Sequence, residues 1–197
     1  MSSILFTPLK IPKIVPNDWD EWWHVWNTYR RPVVKTNKNH NDAIGLFNGL
    51  DLFNSKTKLL YYTVAECPKF KVVDNILDQI YDRIPIELEA VRVLENNYAV
   101  PFHSDTNTLV YELRCFLWNT YTNPVWTFRY LDQRKTLIMP PDTNTFFYKD
   151  YPLQHSSIYH PQRTKGILAI YGKFKKEFKH LVNWSYINYK DYAWLTD

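Results

Sequence analysis

Apolar and polar positions repeat with helical spacing in two segments near the N-terminus, and with a period of two over most of the remaining chain. Trp19, Trp22, Trp23 and Trp26 fall one, three and four apart, as on one helix face. Asn17 stands where an N-cap belongs, Asp18, Asp20 and Glu21 put negative charge in the first turn, and Pro32 stops the run. A tryptophan stripe of this kind reads as a helix face glued to a core rather than as a ligand platform. Pro68 opens a second helix, whose stripe Val72, Val73, Ile76, Leu77, Ile80 and Ile84 ends at Pro85. Residues 1–16, with three prolines, read as an extended arm packed on the body, and 33–58 as loops with one short strand. Strands are predicted at 59–64, 89–95, 98–105, 111–118, 125–131, 136–139, 145–149, 153–158 and 166–171. The turn signals between them include Asn96-Asn97, Asp132-Gln133 and Pro140-Pro141-Asp142.

Eight short strands after two helices predict a mainly β fold, a double-sheet jelly roll braced by two N-terminal helices. A length of 197 residues fits one domain. Within it, 1–85 would form the arm and supporting helices, 86–174 the jelly-roll core and 175–197 a C-terminal extension. Aromatics make up 17% of the chain against only 4 glycines, which suits half-buried pleated surfaces. A net charge of +4 is too mild to imply nucleic acid, and the basic run Lys173, Lys175, Lys176, Lys179 reads as a solvated face. Two cysteines exclude a secreted disulfide framework. Lys10 and Lys13 interrupt the first apolar stretch, and no apolar run reaches about 18 residues. The expectation is a cytoplasmic protein with reduced thiols and no membrane partner.

Candidate chemistry centres on His103-Ser104-Asp105, followed by His155 and then Lys165. Two imidazoles and one carboxylate can hold a divalent iron on one face and leave the opposite face open. In a strand, His103 and Asp105 project from the same side, beside the small or compact Ala99 and Pro101. His155 and His160 compete for the third ligand position. His155 falls within a predicted strand that would aim it in a fixed direction, whereas His160 precedes Pro161 in the following loop. With 6 histidines and 20 acidic residues in the chain, a His-x-acid tripeptide alone decides nothing, so the reading rests on this context.

The segment from Val91 to Phe174 resembles the core of the iron(II)- and 2-oxoglutarate-dependent oxygenases, the double-stranded β-helix family. VRVLENNYAVPFHSD is similar to the strand pair ending in that family's His-x-Asp, and MPPDTNTFFYKDYPLQH to the turn and strand before its second His. HSSIYHPQRTKGILAIY resembles the final motif, where a basic residue about ten positions after that His binds the co-substrate. Lys165 is at that distance from His155; Arg163, two residues earlier with the same strand parity, is its rival. The family's smaller hydroxylases generally place Arg here, and Lys offers a point charge without the bidentate fork.

The resemblance implies Fe(2+) on His103, Asp105 and His155, with 2-oxoglutarate chelating it and its far carboxylate on Lys165 or Arg163. It implies an O2-dependent hydroxylation of an unactivated C–H bond, on a protein or peptide side chain by likeness to prolyl and aspartyl/asparaginyl hydroxylases. Tyr98, Tyr111, Arg114 and Asn119 fall where family members often contact co-substrate or substrate, with packing as the alternative for each. Two other functions fit the same pattern. One is a cupin-type enzyme with zinc or manganese activating water. The other is a non-catalytic jelly-roll binding module whose Trp and Tyr residues form the contact face.

Overall fold

The computed structural model of the chain describes residues 2–32, 34–35, 48–55, 62–63, 67–96, 100–104, 112–119, 125–149, 153–157 and 164–196. The order begins with β1 (Ile4–Pro8), α1 (Trp19–Tyr29), β2 (Arg31–Pro32), β3 (Val34–Lys35), β4 (Asn48–Asn54), β5 (Tyr62–Thr63) and α2 (Lys71–Arg83). Strands then run from β6 (Ile86–Asn96) through β7 (Val100–His103), β8 (Glu112–Asn119) and β9 (Val125–Tyr130). They continue with β10 (Gln133–Ile138), β11 (Thr145–Tyr148), β12 (Gln154–Ser157) and β13 (Lys165–Phe174). Last come α3 (Lys176–Asn188), a 3-10 turn at Lys190–Tyr192 and β14 (Trp194–Leu195).

Strands β6 to β13 pair from the outside in. β6 pairs with β13, β7 with β12, β8 with β11 and β9 with β10, all antiparallel. Successive pairs alternate between two sheets, an eight-stranded one ordered β14-β1-β11-β8-β13-β6-β4-β2 and a four-stranded one ordered β10-β9-β12-β7. That wiring is one long hairpin rolled up on itself, the double-stranded β-helix expected from the strand pattern. It brings the start of β12 against the end of β7, although about fifty residues separate them.

Two apolar clusters hold the layers. One lies between the two sheets and includes Phe116, Trp126, Phe128, Phe146, Tyr148 and Ile167. The other packs the large sheet's outer face against the helices and includes Trp22, Trp26, Val73, Ile76, Leu168 and Ile170. Because β13 is covered on both faces, Ile167, Leu168, Ala169 and Ile170 form an unbroken buried run rather than an alternating one. Trp118 projects from the outer face and meets the rings of Trp22, Trp23 and Trp26 at 6.1, 5.1 and 5.1 Å. The tryptophan stripe of α1 is therefore a core face, with Trp19 and Trp23 at its half-open edge.

Several local expectations are corrected. Asp18, not Asn17, caps α1: its carboxylate accepts from the Glu21 amide at 2.9 Å. The supposed arm contains β1, a full member of the large sheet between β11 and β14. The one short strand expected within 33–58 is β4, longer than expected at seven residues and paired along β6. The C-terminal extension, for which the pattern predicts no element, forms α3, which packs Phe178 and Val182 on the core. Of the predicted strand 59–64, only Tyr62–Thr63 lies within the described residues, as β5.

Candidate active site

His103 ends β7 and His155 lies in β12, and the antiparallel register makes them direct partners. Directly opposed residues share one face of the sheet, with Cβ atoms about 4.5–5.5 Å apart. Their ring centroids stand 4.3 Å apart at an interplanar angle of 55°. His155 is 5% exposed, and the rings of Tyr148 and Trp126 lie 5.4 and 5.7 Å from it. The pair therefore points into the space between the sheets. Phe102, next in β7, points the other way and takes the guanidinium groups of Arg129 and Arg134 on its ring at 4.9 and 5.2 Å. Alternation along β7 thus sends His103 and Phe102 to opposite faces. Among the described residues no three potential ligands gather. Asp105, two residues beyond His103, lies outside them, as do His160 and Arg163.

Lys165 opens β13 on the same inner face as Ile167, in register with Asn96 on one side and Asn119 on the other. It is 6% exposed, and its Nζ lies 4.7 Å from the centroid of the Trp126 ring. Burial pulls the ammonium down from the ordinary lysine value to about 8, because the charged form loses hydration. Trp126 thus touches both halves of the arrangement, with Lys165 on its ring and His155 beside it. Its indole N–H is buried and has no acceptor among the described residues. A buried donor left in that state costs about 1–3 kcal/mol, so an acceptor supplied by a ligand would be favourable there.

The inner face holds more charge than the sequence pattern indicated. Asp51 of β4 and Arg92 of β6 are register partners, both about 3% exposed at the side chain, joined by two contacts of 2.5 and 3.0 Å. Across β13, small Ala169 is flanked by Arg92 and by buried Arg114 of β8. Asn119 reaches the site region at the end of β8, opposite Lys165. Tyr98 and Tyr111 lie outside the described residues. Sequence reasoning missed Trp126, which was simply one more apolar residue on the inward face of its strand. It also missed Asp51, whose partner lies 41 positions away.

No family model matches the chain, and no curated protein matches it. Among solved structures it is similar to an oxidoreductase of the 2OG-Fe(II) oxygenase family from Burkholderia pseudomallei, at 8% identity and a TM-score of 0.47. That match covers 78% of each chain. It is also similar to a Pseudomonas putida prolyl-4-hydroxylase, at 9% identity and a TM-score of 0.48, over 88% of this chain and 92% of the other. Identities this low leave the functional case to the residues themselves.

Proposed function

We propose that the chain is an iron(II)- and 2-oxoglutarate-dependent dioxygenase that hydroxylates a C–H bond of a protein or peptide side chain. The observation that carries this reading is the register pair of His103 and His155 facing the interior of the jelly roll. Two imidazoles with centroids 4.3 Å apart on one face are donors that would hold one divalent ion between them. Asp105, which lies outside the described residues, is the carboxylate that the His103-Ser104-Asp105 motif offers to complete the donor set that suits iron(II). When bound, the iron supplies the redox chemistry that couples oxidative decarboxylation of 2-oxoglutarate by O2 to hydroxylation.

The remaining work falls to the chain's own side chains. Lys165, with Arg163 as rival, holds the far carboxylate of 2-oxoglutarate, and its desolvated ammonium attracts an anion more strongly than one in water does. The buried N–H of Trp126, whose ring carries the Lys165 ammonium, is left to donate to a bound ligand. Phe116, Phe128, Phe146 and Ile167 wall the interior and exclude water from it. A zinc hydrolase would have no use for a buried cation at Lys165. A cytoplasmic placement rests on the sequence, whose two cysteines offer no disulfide framework. No described helix is long and apolar enough to cross a membrane. The peptide substrate rests on the resemblance of the sequence motifs to prolyl and aspartyl/asparaginyl hydroxylases.

Iron(II) affinity, measured anaerobically by calorimetry, tests the metal site. His103→Ala and His155→Ala should each weaken binding by more than about a hundredfold, since even residues that only support a ligand are worth about 10–100-fold. Far-ultraviolet circular dichroism should be unchanged. Wild-type affinity in either variant would remove that residue from the site.

A further inference from the structure

On the other side of the large sheet, α3 and strands β1 and β14 enclose an open groove of about 800 Å³. Its floor is apolar, formed by Phe147, Phe174, Phe178, Val182 and Leu195. Phe174 and Phe178 stack with centroids 4.2 Å apart at 25°. Its rim is basic, carrying Lys175, Lys176, Lys179 and His180, all exposed. No described lining residue is acidic. Along α3 the lining runs from Lys176 to Tyr186, and ten residues of helix rise about 15 Å. That length matches about five residues of extended chain. The cations gather at one end of the helix, and Asn183 and Tyr186 stand at the other.

We infer that this groove docks an acidic peptide segment of a partner protein, with carboxylates on the lysine rim and a large apolar side chain on the phenylalanine floor. The inference is independent of the metal-site reading. Phe147 faces the groove, while its neighbours Phe146 and Tyr148 face the inter-sheet interior with His155. Lys175, Lys176 and Lys179, three of the four lysines that read as a solvated face in the sequence, are thus the rim of a built cleft. Charge complementarity selects the occupant: a net positive rim with no carboxylate among its described residues attracts acidic chain and repels basic chain. The apolar floor supplies the short-range anchor that free charges lack.

The probe is a fluorescein-labelled synthetic peptide of four glutamates followed by Leu-Phe-Leu, titrated with the full chain and followed by fluorescence anisotropy. Saturable binding is expected. A Lys176→Glu, Lys179→Glu double variant should weaken it at least tenfold with circular dichroism unchanged, since both lysines are exposed. Replacing the peptide's Leu-Phe-Leu by three serines should weaken it comparably. Absence of saturation, equal binding by the double variant, or equal binding of the serine peptide would overturn the proposal. So would failure of the peptide alongside lysine-dependent sedimentation with phosphatidylserine vesicles, which would point to a membrane surface.

Discussion

Burial of Lys165 ties ligand affinity and stability to the same proton. Its ammonium titrates at about 8 in the folded chain against 10.5 ordinarily, with desolvation as the cause. Between those values the unfolded chain binds more protons, so folding stability rises with pH across that window. Below pH 8 the folded protein bears the full cost of a buried charge, up to about 3 kcal/mol at 1.36 kcal/mol per unit. Lys165→Met should therefore stabilise the ligand-free protein at pH 7 in urea denaturation while abolishing 2-oxoglutarate binding. In the wild type, 2-oxoglutarate affinity should fall as pH rises through and above 8. Affinity that is flat between pH 7 and 9.5 would take the carboxylate away from this lysine. At this scale the sequence made the inward placement of a side chain legible where a polar residue interrupts an apolar stripe, as at His103, His155 and Lys165. It was silent where the partner is distant, as for Asp51 and Arg92, or where the residue looks like ordinary core, as for Trp126.

Among the elements, β13 shows how packing on both faces fixes a strand. A Cβ at Gly166 would collide with the Trp118 ring, so only glycine lets that indole lie against the sheet and meet α1. At the same point β8 slips register, with Gly166 opposite Trp118 and Ile167 opposite Phe116. The bulge sends Trp118 outward and keeps Phe116 inward. Gly166→Ala should cost about 1–3 kcal/mol, the usual penalty of overpacking, with a change in tryptophan fluorescence as the cluster shifts. An unperturbed midpoint would mean that Trp118 moves freely. α1 and α2 were readable from the helical spacing of their apolar residues, and β6 to β13 as short runs bounded by turn signals. α3 was not, for two physical reasons: its N-cap is Lys175, which makes no side-chain capping bond, and its buried stripe includes Ser185. The full length of β4 hid behind Asn48-Gly49, a turn signal, and Asp51, a charge whose inward placement is satisfied by Arg92 and by a hydrogen bond from Asn54.

For the molecule as a whole, the rolled hairpin brings the candidate site residues together. Pairing β7 with β12 brings His103 against His155, and pairing β13 with β6 and β8 sets Lys165 on the facing sheet. The architecture was foreseeable from eight short strands after two helices. Widening of the large sheet by β1, β4 and β14 was not, since edge additions leave no periodic signal that separates them from loops. The central question is whether this interior binds iron(II) and 2-oxoglutarate together. Anaerobic titration of the purified chain with both, followed by visible absorption, reads that directly. A weak charge-transfer band that needs both components, saturates at one equivalent of each and disappears in His155→Ala is the predicted result. Iron bound with no band on adding 2-oxoglutarate, or no iron bound at all, would contradict it.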